Sequence, residues 1–224
     1  MIVTIDGPAG SGKSTAARKL AARLEIAYLD TGAMYRAIAY AAQQQNVDFD
    51  DDAALLETAR SSNLELDCGP THTRVRVDGH DVSEAIRTME VSAATPFIAR
   101  NQAIRDLLVS RQRDLGRELG SVISEGRDQG SVVFPNADVR FVLEASLESR
   151  AERRYQELIA DGEDVKIAEI IANLKARDSV DARQWEPLLV SGASVVIDTT
   201  DLTISQVVDQ MYEIVATRLA RKAD

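Results

Sequence analysis

The stretch Met1-Ile-Val-Thr-Ile-Asp-Gly-Pro-Ala-Gly-Ser-Gly-Lys-Ser-Thr15 decides the fold. Met1 to Ile5 is mostly apolar and reads as a short buried strand. Asp6 to Gly12 is a glycine-rich turn, and Lys13 to Leu24 has helical spacing, with Ala17, Leu20, Ala21 and Leu24 on one face. Gly7 to Ser14 fits the phosphate-loop pattern G-x-x-x-x-G-K-[ST] at every fixed position. The chemistry needs that spacing. The glycines let backbone N–H groups turn inward around a phosphate, and the helix opening at Lys13 adds its positive end to the same spot. Lys13 is expected at the β- and γ-phosphates and the Ser14 hydroxyl at Mg2+. Gly7, Pro8, Ala9, Gly10, Ser11, Gly12, Lys13, Ser14 and Thr15 are thus the expected cradle for a nucleoside triphosphate.

Working outward, Ile26 to Leu29 reads as a second strand ending at Asp30, and Gly32 to Gln44 as a helix. Strand, loop, helix, strand begins an α/β fold with a parallel sheet. The middle departs from that rhythm. Asn63 to Asp67 and Arg74 to Asp78 alternate apolar and polar residues, and Asp78-Gly79 makes a turn into a short strand, His80 to Val82. Residues from about 31 to 97 therefore read as an insertion carrying a small antiparallel sheet. The α/β pattern resumes with one long helix from Ile98 to Leu119 and strands at Ser121 to Ser124 and Val139 to Leu143. Helices at Leu147 to Ala160 and Val165 to Asp178 follow, then a last strand at Ser194 to Ile197. A closing helix spans Leu202 to Ala220, with Thr203 or Ser205 near its start.

A chain of 224 residues fits one domain with such an insertion and buries a core without metal or disulfide support. The net charge of −10 opposes binding to phosphate backbones or anionic membranes. Aromatic residues, at 4%, are too few to suggest base-stacking platforms. No run approaches the ~20 apolar residues of a membrane span. The opening strand runs straight into the glycine-rich turn and does not read as a signal peptide. Cys68 is the only cysteine, which excludes an internal disulfide and fits a cytoplasmic location. No nucleic acid or membrane partner is expected. Lysine occurs only at Lys13, Lys19, Lys166, Lys175 and Lys222, so the basic residues are mainly arginine. Arginine's flat fork of donors matches phosphate oxygens in pairs.

The phosphate loop alone does not name the reaction. The patterns N-K-x-D and D-x-x-G of regulatory GTPases are absent, and the nearest approach to an Asp-Glu strand end is Val122-Ile-Ser-Glu125, with a single acid. A compact kinase for a small acceptor remains. Asp30-Thr-Gly-Ala-Met-Tyr-Arg36 follows the second strand, where ligands bind in this architecture. Asp30 there suits a magnesium-bound water and Arg36 an acceptor phosphate; a helix cap with a solvated arginine accounts for the same residues. Glu125-Gly-Arg-Asp-Gln-Gly130 places Arg127 and Asp128 beside the phosphate loop, or is a polar turn with a local ion pair. Arg177 and Asp181 share one helical face, which an intrahelical salt bridge also explains. Arg150, Arg153 and Arg154 lie on a helix that either covers the site as a lid or is simply solvated. His72, His80 and Cys68 match no zinc spacing and read as turn or surface residues.

Taken together, these pieces resemble the bacterial cytidylate kinases, nucleoside monophosphate kinases with a phosphate loop, over nearly the whole chain. The resemblance rests on Ile5 to Thr15, Leu29 to Arg36, Arg111-Gln-Arg113, Glu125 to Asp128, Val132 to Pro135, and Arg177-Asp178 with Pro187-Leu188. It implies an adenylate-kinase-like core, transfer of phosphate from ATP to CMP or dCMP, and a Mg2+ requirement; a monomer is expected. The core is then residues 1–30 and 98–224, the nucleoside-monophosphate unit 31–97, and the lid about 150–163. By the same resemblance Arg36 and Arg127 hold the CMP phosphate, and Arg105 and Asp128 read the cytosine. Arg177 binds phosphate, Asp181 holds the ribose hydroxyls, and Arg154 belongs to the ATP side. The catalytic set is Lys13, Arg127, Arg177 and Arg183. Two places depart from the family pattern. Pro96 stands where the family has a base-contacting serine, which makes Thr95 the substitute candidate. Gln184 stands at the usual last arginine, which makes Arg183 the candidate. Other readings remain at this point: a kinase for UMP, AMP or a non-nucleotide, or a nucleotide-binding protein without catalysis.

Overall fold

The computed structural model describes residues 1–160, 162, 165–176, 178 and 194–223, the last three of these without their side chains. The chain opens β1 (Ile2–Asp6), α1 (Lys13–Leu24), β2 (Ala27–Asp30) and α2 (Thr31–Gln44). Next come α3 (Asp52–Ser61), β3 (Leu64–Cys68), β4 (Thr73–Val77), β5 (His80–Asp81), a 3-10 turn (Ala85–Arg87) and α4 (Met89–Arg100). Then come α5 (Gln102–Leu119), β6 (Val122–Glu125), a π-helical turn (Gln129–Val133), β7 (Val139–Glu144) and α6 (Leu147–Ala160). Residues 167–176 are helical and are called α7; β8 (Val195–Asp198) and α8 (Ile204–Ala223) end the chain.

Five strands form a sheet in the order β2-β6-β1-β7-β8, and every pairing is parallel. Strands buried on both faces need apolar residues on both faces. Val3, Ile5, Phe141 and Leu143 pack under α1 and α8 with Leu20, Val207, Met211 and Val215. Leu29 and Val122 pack on the other side with Met34, Ile38, Ile98, Ile104 and Leu108 of α2, α4 and α5. The register places Glu125 opposite both Ile5 and Asp30. The carboxyl ends of β1, β2 and β6 therefore stop in one row, and the loops that leave them share one edge.

The small antiparallel sheet, β3-β4-β5, is stitched to the outer edge of β2. The Thr73 hydroxyl donates to the Tyr28 carbonyl at 2.7 Å and accepts the Asp30 N–H at 3.1 Å. The Tyr28 N–H donates to the Gly69 carbonyl at 3.1 Å. That edge is thereby covered rather than open to a further strand. Asp78 and Gly79 both have positive φ, 50° and 79°, as a two-residue hairpin turn requires.

Three sequence expectations change. The single helix from Ile98 to Leu119 is two helices broken at Asn101. Its backbone is extended there, and its Oδ1 accepts the N–H groups of Ala103 and Ile104 at 3.1 and 3.2 Å. Its Nδ2 donates to the Asp52 carbonyl at 3.0 Å, so the cap also ties α5 to α3. Two helices, α3 and α4, flank the small antiparallel sheet in sequence, and α4 carries Pro96 in its interior. The closing helix starts at Ile204, set by a reciprocal cap. The Thr203 N–H donates to Gln206 Oε1 at 2.9 Å, and the Gln206 N–H to Thr203 Oγ at 3.3 Å. Among the described residues no helix is long and apolar enough to cross a membrane.

Asn101→Ala should lower the unfolding free energy by about 1 kcal/mol or more, because it removes the cap of α5 and the tie to α3. Urea unfolding measures this, and an unchanged midpoint contradicts the capping role.

Candidate active site

The loop after β1 is shaped by what surrounds it. Gly7 has φ 134°, and a Cβ there would fall 2.2 Å from the Leu143 carbonyl oxygen of β7. Gly10 has φ 78° and lies against the backbone of Arg150 on α6. The Ser11 hydroxyl donates to the Pro8 carbonyl at 3.0 Å. Lys13, nearly buried, bends back so that its Nζ donates to the same carbonyl at 2.6 Å. The loop thus holds its cationic arm across its own mouth.

Glu125 ends β6 directly beside this loop. Its Oε1 accepts the Ser14 hydroxyl at 2.8 Å, and its Oε2 is buried with no donor. Burial pushes its carboxyl pKa up, and nearby Asp30 adds to the rise; Lys13, Ser14 and Arg127 oppose it. The sequence singled out Glu125 only as a strand-end acid. Its placement beside the strand that feeds the phosphate loop was the signal for a role at Ser14. Asp6 was missed altogether. Its Oδ1 and Oδ2 accept the N–H groups of Gln129 and Gly130, each at 2.8 Å. That clamp fixes the turn after β6 to the start of the phosphate loop. Burial pushes the Asp6 carboxyl up to about 7 in spite of these two bonds.

The acceptor-side residues gather on the same edge. Asp30 caps α2 by accepting the Ala33 N–H at 3.0 Å on Oδ1, and Arg36 donates to its Oδ2 at 2.9 Å. Asp30 is thus a helix cap, and it also holds the arginine. Both Asp30 oxygens accept protein donors, one from the Ala33 N–H and one from Arg36. Arg105 and Asp128 form a largely buried ion pair at 2.5 Å. Gln129 backs that pair. Its Nε2 lies 3.4 Å from Asp128 Oδ1, 3.4 Å from Thr31 Oγ and 3.1 Å from Gln112 Oε1, while its Oε1 accepts the Ser124 hydroxyl at 2.7 Å. Tyr35 lies close by. Burial, then the charge of Asp128, pushes its hydroxyl up to about 12. The Arg127 guanidinium donates to its neighbour's carbonyl, Gly126, at 3.2 Å. The Thr95 hydroxyl is turned to its own helix, donating to the Val91 carbonyl at 2.8 Å.

The three arginines of α6 divide. Arg150 is buried, and its guanidinium donates to the Ala9 carbonyl at 3.1 Å and, bidentately, to Asp178 at 3.0 and 2.6 Å. Arg153 grips the Thr199 carbonyl and hydroxyl after β8. The Thr199 hydroxyl in turn lies 3.2 Å from the Ser11 carbonyl. Arg154, the member expected at ATP, is half exposed and pairs with Glu157 at 3.0 Å. A cavity of about 330 Å3 opens beside the loop, lined by Pro8, Glu144, Ala145, Arg150, Asp178 and Asp198. Arg177, Asp181 and Arg183 lie outside the described residues.

The oxygen donors Ser14 and Glu125, with one orphaned carboxyl oxygen, suit a hard cation such as Mg2+. No set of three or more His, Cys, Asp or Glu side chains suited to a metal ion occurs among the described residues, around Cys68 or elsewhere.

Comparison with known proteins agrees with this geometry. The family profile described as Cytidylate kinase matches residues 3–217. The chain is 45% identical over 212 residues to the cytidylate kinase of Caldanaerobacter subterraneus subsp. tengcongensis, covering 94% of this chain and 92% of that protein. It is 44% identical over 214 residues to the cytidylate kinase of Bacillus subtilis, covering 95% of each. Among solved structures it is similar to the shikimate kinase of Bacteroides thetaiotaomicron, with a TM-score of 0.50 at 12% identity over 96% of this chain and 98% of that one. A Thermus thermophilus protein gives a TM-score of 0.51 at 20% identity, over 98% and 97%. At such identities these two show the fold alone.

The Asp6 clamp carries a pH signature. Unfolded, Asp6 loses its proton near pH 4; folded, it keeps it until about pH 7. Its contribution to stability is full below pH 4 and is lost as pH rises through 7. From pH 5 to 7 this group should cost the unaltered protein about 2–3 kcal/mol, and Asp6→Asn should flatten that part of the decline. Urea unfolding across that range checks it; equal slopes contradict it.

Proposed function

This chain belongs to the cytidylate kinase family, and on that premise we propose that it transfers the γ-phosphoryl group of ATP to CMP or dCMP, releasing ADP and CDP or dCDP. The observation that carries the choice of acceptor is the Arg105–Asp128 pair at the end of β6, backed by Gln129. Cytosine presents a donor at N4 beside acceptors at N3 and O2, and an arginine with a carboxylate offers the matching set.

The acceptor oxygen is already anionic, so no covalent enzyme intermediate is needed. Catalysis is positioning and charge neutralisation in an in-line transfer. The loop from Gly7 to Thr15 holds the triphosphate, and Lys13 moves from the Pro8 carbonyl to the phosphate oxygens. Arg36 and Arg127 hold the CMP phosphate against it. Arg177 and Arg183 complete the cationic set, and Asp181 holds the ribose. Ser14 is the protein group proposed to hold Mg2+, with Glu125 receiving its hydroxyl from behind; Asp30, taken by Ala33 and Arg36, serves the arginine. When bound there, the ion would supply positive charge to offset the negative charge of the phosphates. Residues 31–97 carry the acceptor, and residues about 150–163 close over ATP. Thr95 contacts the base when its hydroxyl leaves the Val91 carbonyl. The working unit is a monomer.

Two variants test this. Lys13→Ala should lower kcat by about a hundredfold or more with the fold intact; normal turnover contradicts the scheme. Asp128→Ala should reduce the preference for CMP over UMP by about tenfold or more, since uracil reverses the donor and acceptor at this edge. An unchanged preference, measured as kcat/KM for each, removes Asp128 from base reading.

A further inference from the structure

Neither acceptor motif contains Arg87, yet the structure brings it to the acceptor-phosphate site. Arg87 closes the 3-10 turn between the small sheet and α4. That turn is firmly held. Ile86 is fully buried, its N–H donates to the Val82 carbonyl at 3.0 Å, and the Arg87 N–H donates to the Glu84 carbonyl at 3.0 Å. Thr88 then caps α4. From this platform the half-exposed Arg87 side chain reaches to 3.6 Å from Asp30 Oδ2. Arg36 holds that same oxygen at 2.9 Å.

One buried carboxylate thus gathers two guanidinium groups, and its other oxygen is already bound to the Ala33 N–H. Two guanidinium groups meet one carboxylate, and Arg36 Nε is buried with no acceptor among the described residues. Gly32 leaves the space that Arg36 occupies, since a Cβ there would come within 3.2 Å of Arg36 Nη1 and of Asp30 Oδ1. Two arginines meeting at one oxygen stand close enough for a single phosphate to touch both, and planar guanidinium forks favour that contact. Arg87 also keeps its exposed face toward solvent, from which a ligand arrives.

We propose that Arg87 binds the phosphate of the acceptor nucleotide beside Arg36, with Asp30 as the dock that holds the pair ready. This rests on the reading of the chain as a nucleoside monophosphate kinase. Residues 31–97 then hold the phosphate from two elements, with Arg36 on α2 and Arg87 on the 3-10 turn before α4.

Calorimetric titration with CMP and ATP, and competition by cytidine against CMP, test the assignment in the unaltered protein, Arg87→Gln and Arg87→Lys. Arg87→Gln should weaken CMP binding by about tenfold to a hundredfold, leave cytidine and ATP affinities unchanged, and raise KM for CMP more than it lowers kcat. Arg87→Lys should recover part of the loss. Unchanged CMP affinity in Arg87→Gln overturns the inference. So does an equal weakening of cytidine, which marks a structural role. An unaltered protein that does not bind CMP overturns the kinase reading itself, and this inference with it.

Discussion

The buried carboxyl of Glu125 is the point on which the rest of the site depends. It stands in register with Ile5 on one side and Asp30 on the other, so it belongs to the one strand that touches both halves of the site. The phosphate loop leaves β1, the arginine helix leaves β2, and the Arg127-Asp128 turn leaves β6. Because parallel strands end together, these three loops meet without any long connection. Glu125 marks the meeting by accepting the Ser14 hydroxyl, while Thr31 donates to its backbone carbonyl at 2.7 Å. Asp6 completes the joint by clamping the N–H groups of Gln129 and Gly130.

Charge is distributed to suit two polyanions in an acidic protein. Lys13, Arg36, Arg87 and Arg127 converge on a region that also holds the acids Asp30 and Glu125. Burial raises the pKa of Glu125, and the nearby charge of Asp30 adds to the rise. Not every ion pair counts equally. The exposed Arg154–Glu157 pair contributes little, as surface pairs do. The buried, bidentate Arg150–Asp178 pair is costly to break from one side, and it links α6 to the Ala9 carbonyl of the loop.

The phosphate loop was legible because its backbone geometry demands glycine at fixed places. Gly7 and Gly10 adopt positive-φ conformations that other residues rarely take, and a Cβ at Gly7 would collide with the Leu143 carbonyl. The buried strands were legible through their apolar runs. The break at Asn101 was not, because the apolar spacing continues through it while a local side-chain cap overrides it. α4 was hidden by Pro96 in its interior. The roles of Asp6, Gln129 and Arg87 come from contacts between residues far apart in sequence, and no local pattern records them. Arg153 and Arg154 differ by one position on α6, yet one grips Thr199 and the other faces solvent. A helical face shifts by about a quarter turn per residue, finer than a cluster of arginines in a sequence reveals.

Steady-state ADP release with ATP·Mg2+ against a panel of acceptors, CMP, dCMP, UMP, AMP and shikimate, tests the central claim most directly. The account predicts CMP and dCMP as the best acceptors, with kcat/KM about tenfold or more above the others. Equal or faster turnover of AMP, UMP or shikimate, or ADP release independent of any acceptor, would contradict it.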